Sequence, residues 1–251
     1  MKAFTDFDLL KSLQLTLAEK GFVTPTEIQQ MTLTPLLDGE SVVGVAETGS
    51  GKTVAYALPI LQQLKSLEHM KEEVTEDSQP RAVVVVPTRE LGEQVSKVFK
   101  MFTHTTRLRV RSILGGTDLE VAKRNVTGPF EVLVATPGRL VKLLDRRLLN
   151  LSDVRTLVFD EADQMLDAGF LSAAERIAGA CPPSRQVALF SATVSPSVQT
   201  LMHKLLPDIQ VFKSKGHHRV VATLKTENLR VIDGKRKPLL QSVLEQPVSG
   251  G

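Results

Sequence analysis

The sequence holds one cysteine in 251 residues, Cys181. An intramolecular disulfide and a cysteine-ligated zinc cluster are thereby excluded. Pro182 and Pro183 follow it and put the thiol in a loop, where an unreactive cysteine is expected. No stretch approaches the ~20 apolar residues that a membrane-spanning helix requires. The opening Met1-Lys2-Ala3-Phe4-Thr5-Asp6 lacks the apolar centre of a secretory signal. A cytosolic protein with no membrane partner is the expectation, and a monomer is the simplest state. Internal repeats and low-complexity tracts are also lacking. With 42% hydrophobic and 24% charged residues, the chain has material for one large α/β domain, or one domain and a fragment.

A strong charge of either sign is missing as well. The 31 Lys and Arg nearly balance 28 Asp and Glu, for a net charge of +3, too even to announce a polyanionic partner. The distribution is less even. Residues 204–237 carry nine basic and three acidic side chains, a local excess of +6 that leaves −3 for the remainder. Such a stretch is either a solvated linker or a nucleic-acid or interdomain contact, and both readings stay open.

What is present is a magnesium-nucleotide signature in two halves. The first is Ala46-Glu47-Thr48-Gly49-Ser50-Gly51-Lys52-Thr53. A glycine-rich turn lets successive backbone N–H groups converge on phosphate oxygens, and the following helix points its positive end at the same place. Lys52 is placed to reach the β- and γ-phosphates, and the Thr53 hydroxyl to ligate Mg²⁺. Residues 41–45 read as a buried parallel strand and 54–64 as an amphipathic helix, the context such a turn needs. Ala46 stands where the generic pattern has glycine. The second half is the apolar run 155–159, which ends in Asp160-Glu161-Ala162-Asp163. Carboxylates at the carboxyl end of a buried strand lie where open α/β sheets bind ligands.

Short β-branched runs recur at 42–45, 82–86, 110–114, 132–135, 156–159, 187–190 and 209–212, with helical stretches between them. This alternation predicts a doubly wound, mostly parallel sheet covered on both faces. Residues 68–80 lose apolar periodicity, turn acidic and read as an exposed, mobile loop, poor in chemistry. A boundary is expected near 214–219, followed by one strand (229–232) and one helix (237–244).

Residues 4 to about 213 resemble the first RecA-like domain of the DEAD-box RNA helicases, P-loop NTPases of helicase superfamily 2. Asp160-Glu161-Ala162-Asp163 spells the family's name. Gly21-Phe22-Val23-Thr24-Pro25-Thr26-Glu27-Ile28-Gln29 is similar to its Q motif, with Phe4 upstream. Pro87-Thr88-Arg89-Glu90-Leu91, Gly115-Gly116, Thr136-Pro137-Gly138-Arg139 and Ser191-Ala192-Thr193 follow in the family's order. Gly92 stands where relatives usually have alanine, and is expected to loosen its helix slightly.

The resemblance implies ATP as cofactor with Mg²⁺. Gln29 would address the adenine edge with both functions of its amide. Phe22 would stack on the base, with Phe4 in support and Thr24 and Thr26 alongside. Thr48, Gly49, Ser50 and Gly51 would line the phosphates with Lys52 and Thr53. Asp160 would hold Mg²⁺, partly through water, and Glu161 would position and deprotonate the attacking water. Asp163 would bond the hydroxyls of Ser191 and Thr193 and relay nucleotide state. Pro87, Thr88, Arg89, Gly115, Gly116, Thr136, Pro137, Gly138 and Arg139 would hold the backbone of single-stranded RNA without reading its sequence. On this reading residues 1–213 are the first domain, and 214–251 are a linker and the incomplete start of a second. An arginine finger on that second domain would be worth about 10³–10⁵ in rate. The chain ending at Gly251 is therefore expected to bind nucleotide and hydrolyse it slowly. A nucleotide-gated module that works without a second domain, and a DNA helicase of the same superfamily, remain as alternatives.

Overall fold

In the computed structural model the described residues are 2–116, 118–206 and 209–215. Seven strands form: β1 (Val42–Val45), β2 (Ala82–Val85), β3 (Val110–Ile113), β4 (Val132–Ala135), β5 (Thr156–Phe159), β6 (Gln186–Ser191) and β7 (Gln210–Lys213). Each lies within a residue, at either end, of an apolar run named above. All neighbours pair in parallel, in the order β3-β4-β2-β5-β6-β1-β7. The expected mostly parallel sheet is thus parallel throughout among the described residues.

The order explains the two layers of helices. From β1 to β3 the chain steps toward the β3 edge, and from β3 to β7 it steps back. Crossovers between parallel strands are right-handed, so a reversal of direction moves the connecting helices to the opposite face. On one face lie α1 (Lys11–Glu19), α2 (Glu27–Leu37), α3 (Lys52–His69), α4 (Arg89–Met101) and the short α5 (Thr103–Thr106). On the other lie α6 (Leu119–Val126), α7 (Pro137–Asp145), α8 (Ala162–Asp167), α9 (Leu171–Gly179) and α10 (Pro196–Leu205). Successive strand side chains point to opposite faces. Val42, Val84, Val158 and Phe190 accordingly pack with Leu13, Leu33, Leu58 and Phe99, whereas Val43, Val85, Leu157 and Leu189 pack with Val126, Leu143, Ile177 and Leu201. Each such side chain contributes about 1.5–3 kcal/mol by leaving water.

Two expectations need correction. The helix after the glycine-rich turn starts at Lys52 rather than Val54 and runs to His69, and its residues 54–61 are all buried. It is no one-sided amphipathic helix, because α2 and α4 cover the sides that the sheet does not. The acidic segment 68–80 is tied down rather than loose. Arg81 donates to the Glu72 carbonyl, Arg109 to the Val74 carbonyl at 3.0 Å, and the Ser78 hydroxyl to the Val126 carbonyl at 2.7 Å, while Val74 is buried. Cations from β-strand entrances thus anchor the backbone of a segment whose sequence looks unstructured.

Of the expected linker, Ser214 and Lys215 are described. Their N–H groups donate to the Val45 carbonyl at 3.0 Å and to Glu27 Oε2 at 2.8 Å. The strand and helix expected at 229–232 and 237–244, and most of the basic stretch, lie outside the described residues. No helix among the described residues is long and apolar enough to cross a membrane.

Candidate active site

β1 delivers the chain into the glycine-rich turn while still paired, since the Ala46 N–H donates to the Ser191 carbonyl at 3.0 Å. Gly49 and Gly51 then take φ of +83° and +91°. At Gly51 the need is double, because a Cβ would also sit 2.5 Å from Gln29 Nε2 and 3.2 Å from Thr26 Oγ1. Lys52, 5% exposed, turns its ammonium back across the loop and donates to the Ala46 carbonyl at 2.9 Å. The Ser50 hydroxyl is buried without a hydrogen-bond partner among the described residues. A phosphate oxygen in the turn is the kind of acceptor that this hydroxyl and the loop N–H groups fit.

The carboxylates come from the end of β5. Asp160, 2% exposed, accepts from the Tyr56 hydroxyl at 2.7 Å on Oδ2 and from the Glu161 N–H at 3.0 Å on Oδ1. Burial pushes its pKa up to about 6, opposed by the Tyr56 bond and the Lys52 charge. The phenol itself is driven well above its ordinary value by burial and by Asp160, so it stays protonated and donates. Glu161 adopts φ +49°, left-handed for a non-glycine residue, and its Oε1 accepts from the Thr48 hydroxyl at 3.0 Å. That conformation carries strain of about 1–3 kcal/mol and aims the carboxylate at the turn instead of along α8.

Asp163 ties β5 to β6. Its Oδ2 accepts from both the N–H and the hydroxyl of Thr193, each at 2.9 Å. The expected bond to the Ser191 hydroxyl takes a different form: Ser191 Oγ accepts from the Asp163 N–H at 3.2 Å. The carboxylate is already occupied by Thr193 and, on Oδ1, by the Gln164 N–H at 3.1 Å.

None of the three acids has a salt-bridge partner among the described residues. Nor does any group of three or more His, Cys, Asp or Glu there suffice to cage a metal. Magnesium keeps several waters and takes one or two carboxylates plus phosphates. Thr53, half-buried at the start of α3, and Asp160 are the donors this chain offers.

The Q-motif residues sit against the back of the turn. Gln29, 2% exposed, accepts from the Thr26 N–H at 2.8 Å and donates to the Gly51 carbonyl at 2.9 Å. The amide therefore braces the turn, leaving one N–H and one lone pair of its four hydrogen-bonding capacities for a base. Thr26 caps α2, Thr24 is exposed, Phe22 is half-buried, and Phe4 is buried in the first core with its N–H on the Val23 carbonyl at 3.3 Å.

The remaining motifs gather at the ends of β2, β3 and β4, which are adjacent in the sheet. Pro87, Arg89, Gly115, Gly116, Thr136, Gly138 and Arg139 line one groove of about 300 Å³. Thr88 and Pro137 do not line it. The Thr88 hydroxyl caps α4 by accepting from the Leu91 N–H at 3.2 Å, and Pro137 is buried at the first position of α7. Lys142 and Phe170, which no motif singled out, complete the lining. Gly92 has a packing role: a Cβ there would lie 2.3 Å from Leu114 Cδ2.

Sequence reasoning also missed Tyr56, the chain's only tyrosine. Its ring packs on Phe190 with centroids 5.5 Å apart. Phe190 in turn lies over Gly44, where a Cβ would come within 2.4 Å of the ring. A glycine in β1 thus admits the phenylalanine that supports the tyrosine that holds Asp160. Buried aromatic residues in a core carry no pattern that would reveal this.

A parallel sheet with a glycine-rich turn after β1 and carboxylates after β5 has the architecture of a RecA-like domain. A sequence model described as DEAD/DEAH box helicase matches residues 26–201. The chain belongs to that family. It is 34% identical over 226 residues to the DEAD-box ATP-dependent RNA helicase CshA of Streptococcus pneumoniae, covering 90% of this chain and 40% of that protein. With the ATP-dependent RNA helicase DeaD of Mycobacterium tuberculosis it shares 36% identity over 243 residues, 96% of this chain and 41% of that one. The crystal structure of a DEAD box protein from Methanococcus jannaschii superposes with a TM-score of 0.77 at 29% identity, covering 97% of this chain and 63% of the other. The chain spans less than half the length of these two curated relatives.

Proposed function

We propose that this chain is the nucleotide-binding portion of an ATP-dependent RNA helicase, which binds ATP and single-stranded RNA and couples hydrolysis to local unwinding of a duplex. The supporting observation is that both sets of motifs occupy one edge of the sheet. β5, β6 and β1 end in the phosphate turn and the carboxylates, β3, β4 and β2 end in the groove, and β5 adjoins β2.

On this reading Lys52 exchanges the Ala46 carbonyl for the β- and γ-phosphates, and the Ser50 hydroxyl gains a partner. The free N–H and lone pair of Gln29 address adenine, which favours ATP over GTP, while Phe22 stacks on the base. Magnesium, held by Thr53 and Asp160 partly through water, supplies neutralisation of charge on the phosphates. Glu161, fixed by Thr48, orients the attacking water and takes its proton. Asp163 makes a shift of α8 felt at Thr193 and β6. In the groove, glycine N–H groups and Arg89 and Arg139 hold sugar and phosphate, which carries no sequence specificity. The resemblance assigns the arginine finger to a second domain, so these 251 residues alone are expected to turn ATP over slowly.

The test is ATPase activity of a full-length form with and without RNA. Stimulation by single-stranded RNA, not by the matched DNA strand, and its loss in Lys52→Ala and Glu161→Gln are expected. Absence of stimulation by any RNA, with activity indifferent to both substitutions, would refute the proposal.

A further inference from the structure

The motif groove does not end at its motifs. A second groove of about 550 Å³ lies beside it, lined by Gly116, Asp118, Leu119, Arg139, Lys142 and Arg146. Gly116, Arg139 and Lys142 line both, so the two grooves adjoin. Arg139, Lys142 and Arg146 are spaced i, i+3 and i+7, which places them on one face of α7 and its C-cap. From first to last they cover about 10 Å at 1.5 Å rise per residue.

These three cations make no hydrogen bond and no ion pair among the described residues, unlike Arg89, Arg176 and Lys204. Arg89 pairs with Glu93 at 2.9 Å, Arg176 with Asp145 at 3.4 Å, and Lys204 with Glu175 at 2.5 Å. Asp145, the acid of α7 itself, is turned to Arg176. The one acid lining the two grooves, Asp118, has its Oδ1 engaged by the Glu120 N–H at 2.8 Å as the cap of α6. A row of unpaired cations, Arg139 half-buried and Lys142 and Arg146 exposed, along adjoining grooves fits a chain of phosphates.

We propose that α7 carries a phosphate track, Lys142 and Arg146, along which a single RNA strand continues out of the motif groove. The inference rests on the reading of that groove as an RNA site. The ligand is the backbone of the same strand, because the track adjoins the groove and offers unpaired positive charge.

The experiment measures binding of two fluorescently labelled oligouridylates by anisotropy across a salt series, one just long enough for the motif groove and one several nucleotides longer. The wild-type chain should bind the longer one more tightly and with a steeper salt dependence. In the double variant Lys142→Ala/Arg146→Ala, the slope of log K against log salt should fall by about 1.4 for the long oligomer, from about 0.7 per phosphate on a single strand. Its affinity at low salt should drop on the order of tenfold, while the short oligomer binds as in wild type. Arg139→Ala should weaken both lengths. The charge-preserving Lys142→Arg should behave as wild type, and unchanged melting temperatures exclude misfolding. Wild-type slopes in the double variant at both lengths would overturn the track and leave the groove standing. Failure of the wild-type chain to bind either oligomer would overturn the groove and the track together.

Discussion

The two halves of the sheet's carboxyl edge are built in opposite ways. After β5, β6 and β1, side chains far apart in sequence bond one another: Thr48 to Glu161, Tyr56 to Asp160, Thr193 to Asp163. After β3, β4 and β2 the described side-chain bonds are local, as in Thr88 with Leu91 and Arg89 with Glu93, and Arg139 and Lys142 bond nothing described. Chemistry on a phosphoryl group requires charges held within tenths of an ångström before substrate arrives. Holding a polynucleotide backbone requires only a groove and unpaired cations. One edge can serve both purposes because the strand order brings three ends of each kind together.

The sharpest way to break the comparison is Gly51→Ala. The left-handed φ costs an alanine about 1–3 kcal/mol, and its Cβ would strike Gln29 Nε2 at 2.5 Å. Affinity for a fluorescent ATP analogue should fall on the order of a hundredfold, 1.4 kcal/mol being about tenfold. RNA binding without nucleotide should be unaffected. A parallel loss of RNA binding would mean that the halves are not independently built.

Tyr56→Phe probes the preorganised half more gently. The phenol clamps one oxygen of Asp160 while the Glu161 N–H holds the other. Loss of such an orienting bond typically lowers metal affinity about 10–100-fold. Titrating Mg²⁺ against nucleotide-bound protein should show a shift near the lower figure, with nucleotide affinity in EDTA unchanged. An unchanged Mg²⁺ midpoint would reduce the tyrosine to a packing residue.

Gly92→Ala makes the matching test on the open half. Alanine gains about 1 kcal/mol over glycine in a helix, but overpacking costs about 1–3 kcal/mol. The Cβ would meet Leu114 Cδ2 at 2.3 Å and Val86 Cγ2 at 3.2 Å. Since Leu114 can yield only within a buried site, overpacking should win by about 1 kcal/mol and lower the melting temperature by about 2–4 °C. Gly92→Ala/Leu114→Ala should not show the overpacking term. Displacement of Leu114 moves Gly115, so RNA affinity should fall and ATP affinity should not.

The same contrast marks how far the sequence could be read. All seven strands were legible: the five inner ones are short, buried, β-branched runs, and the edge strands β3 and β7 keep β-branched residues although they are largely exposed or half-buried. Their order was not, since periodicity says which residues are inside and nothing of which strand lies beside which. Residues that act through their backbone or through spacing, Gly49, Gly51 and Lys52, stood out. Tyr56, Phe190 and Gly44 did not, because their positions follow from ring packing across three elements. The bracing role of Gln29 and the acceptor role of Ser191 Oγ were hidden for a related reason: a side chain's type lists its capacities, and only its neighbours decide which are used. On the open half, Lys142 and Arg146 belong to no motif, and only the position of α7 beside the groove sets them apart from other surface charges.

The remaining effect expected is one of pH, and it should belong to the preorganised half alone. Burial raises the Asp160 pKa from 3.8 to about 6, so the native state binds this proton more tightly than the unfolded chain does. Stability from this group is therefore fully present below about pH 4 and is lost as pH rises through about 6. Asp160→Asn keeps an oxygen for the Tyr56 hydroxyl and removes the charge. Urea unfolding of both proteins across that window should show the asparagine variant gaining on wild type as pH rises, with most of the gain complete by about pH 7. Arg139→Gln, made in the groove, should run parallel to wild type at every pH. A difference between wild type and Asp160→Asn that stays constant over the window would mean that the carboxylate is solvated after all. The buried, preorganised character assigned to that half would then fail at its central residue.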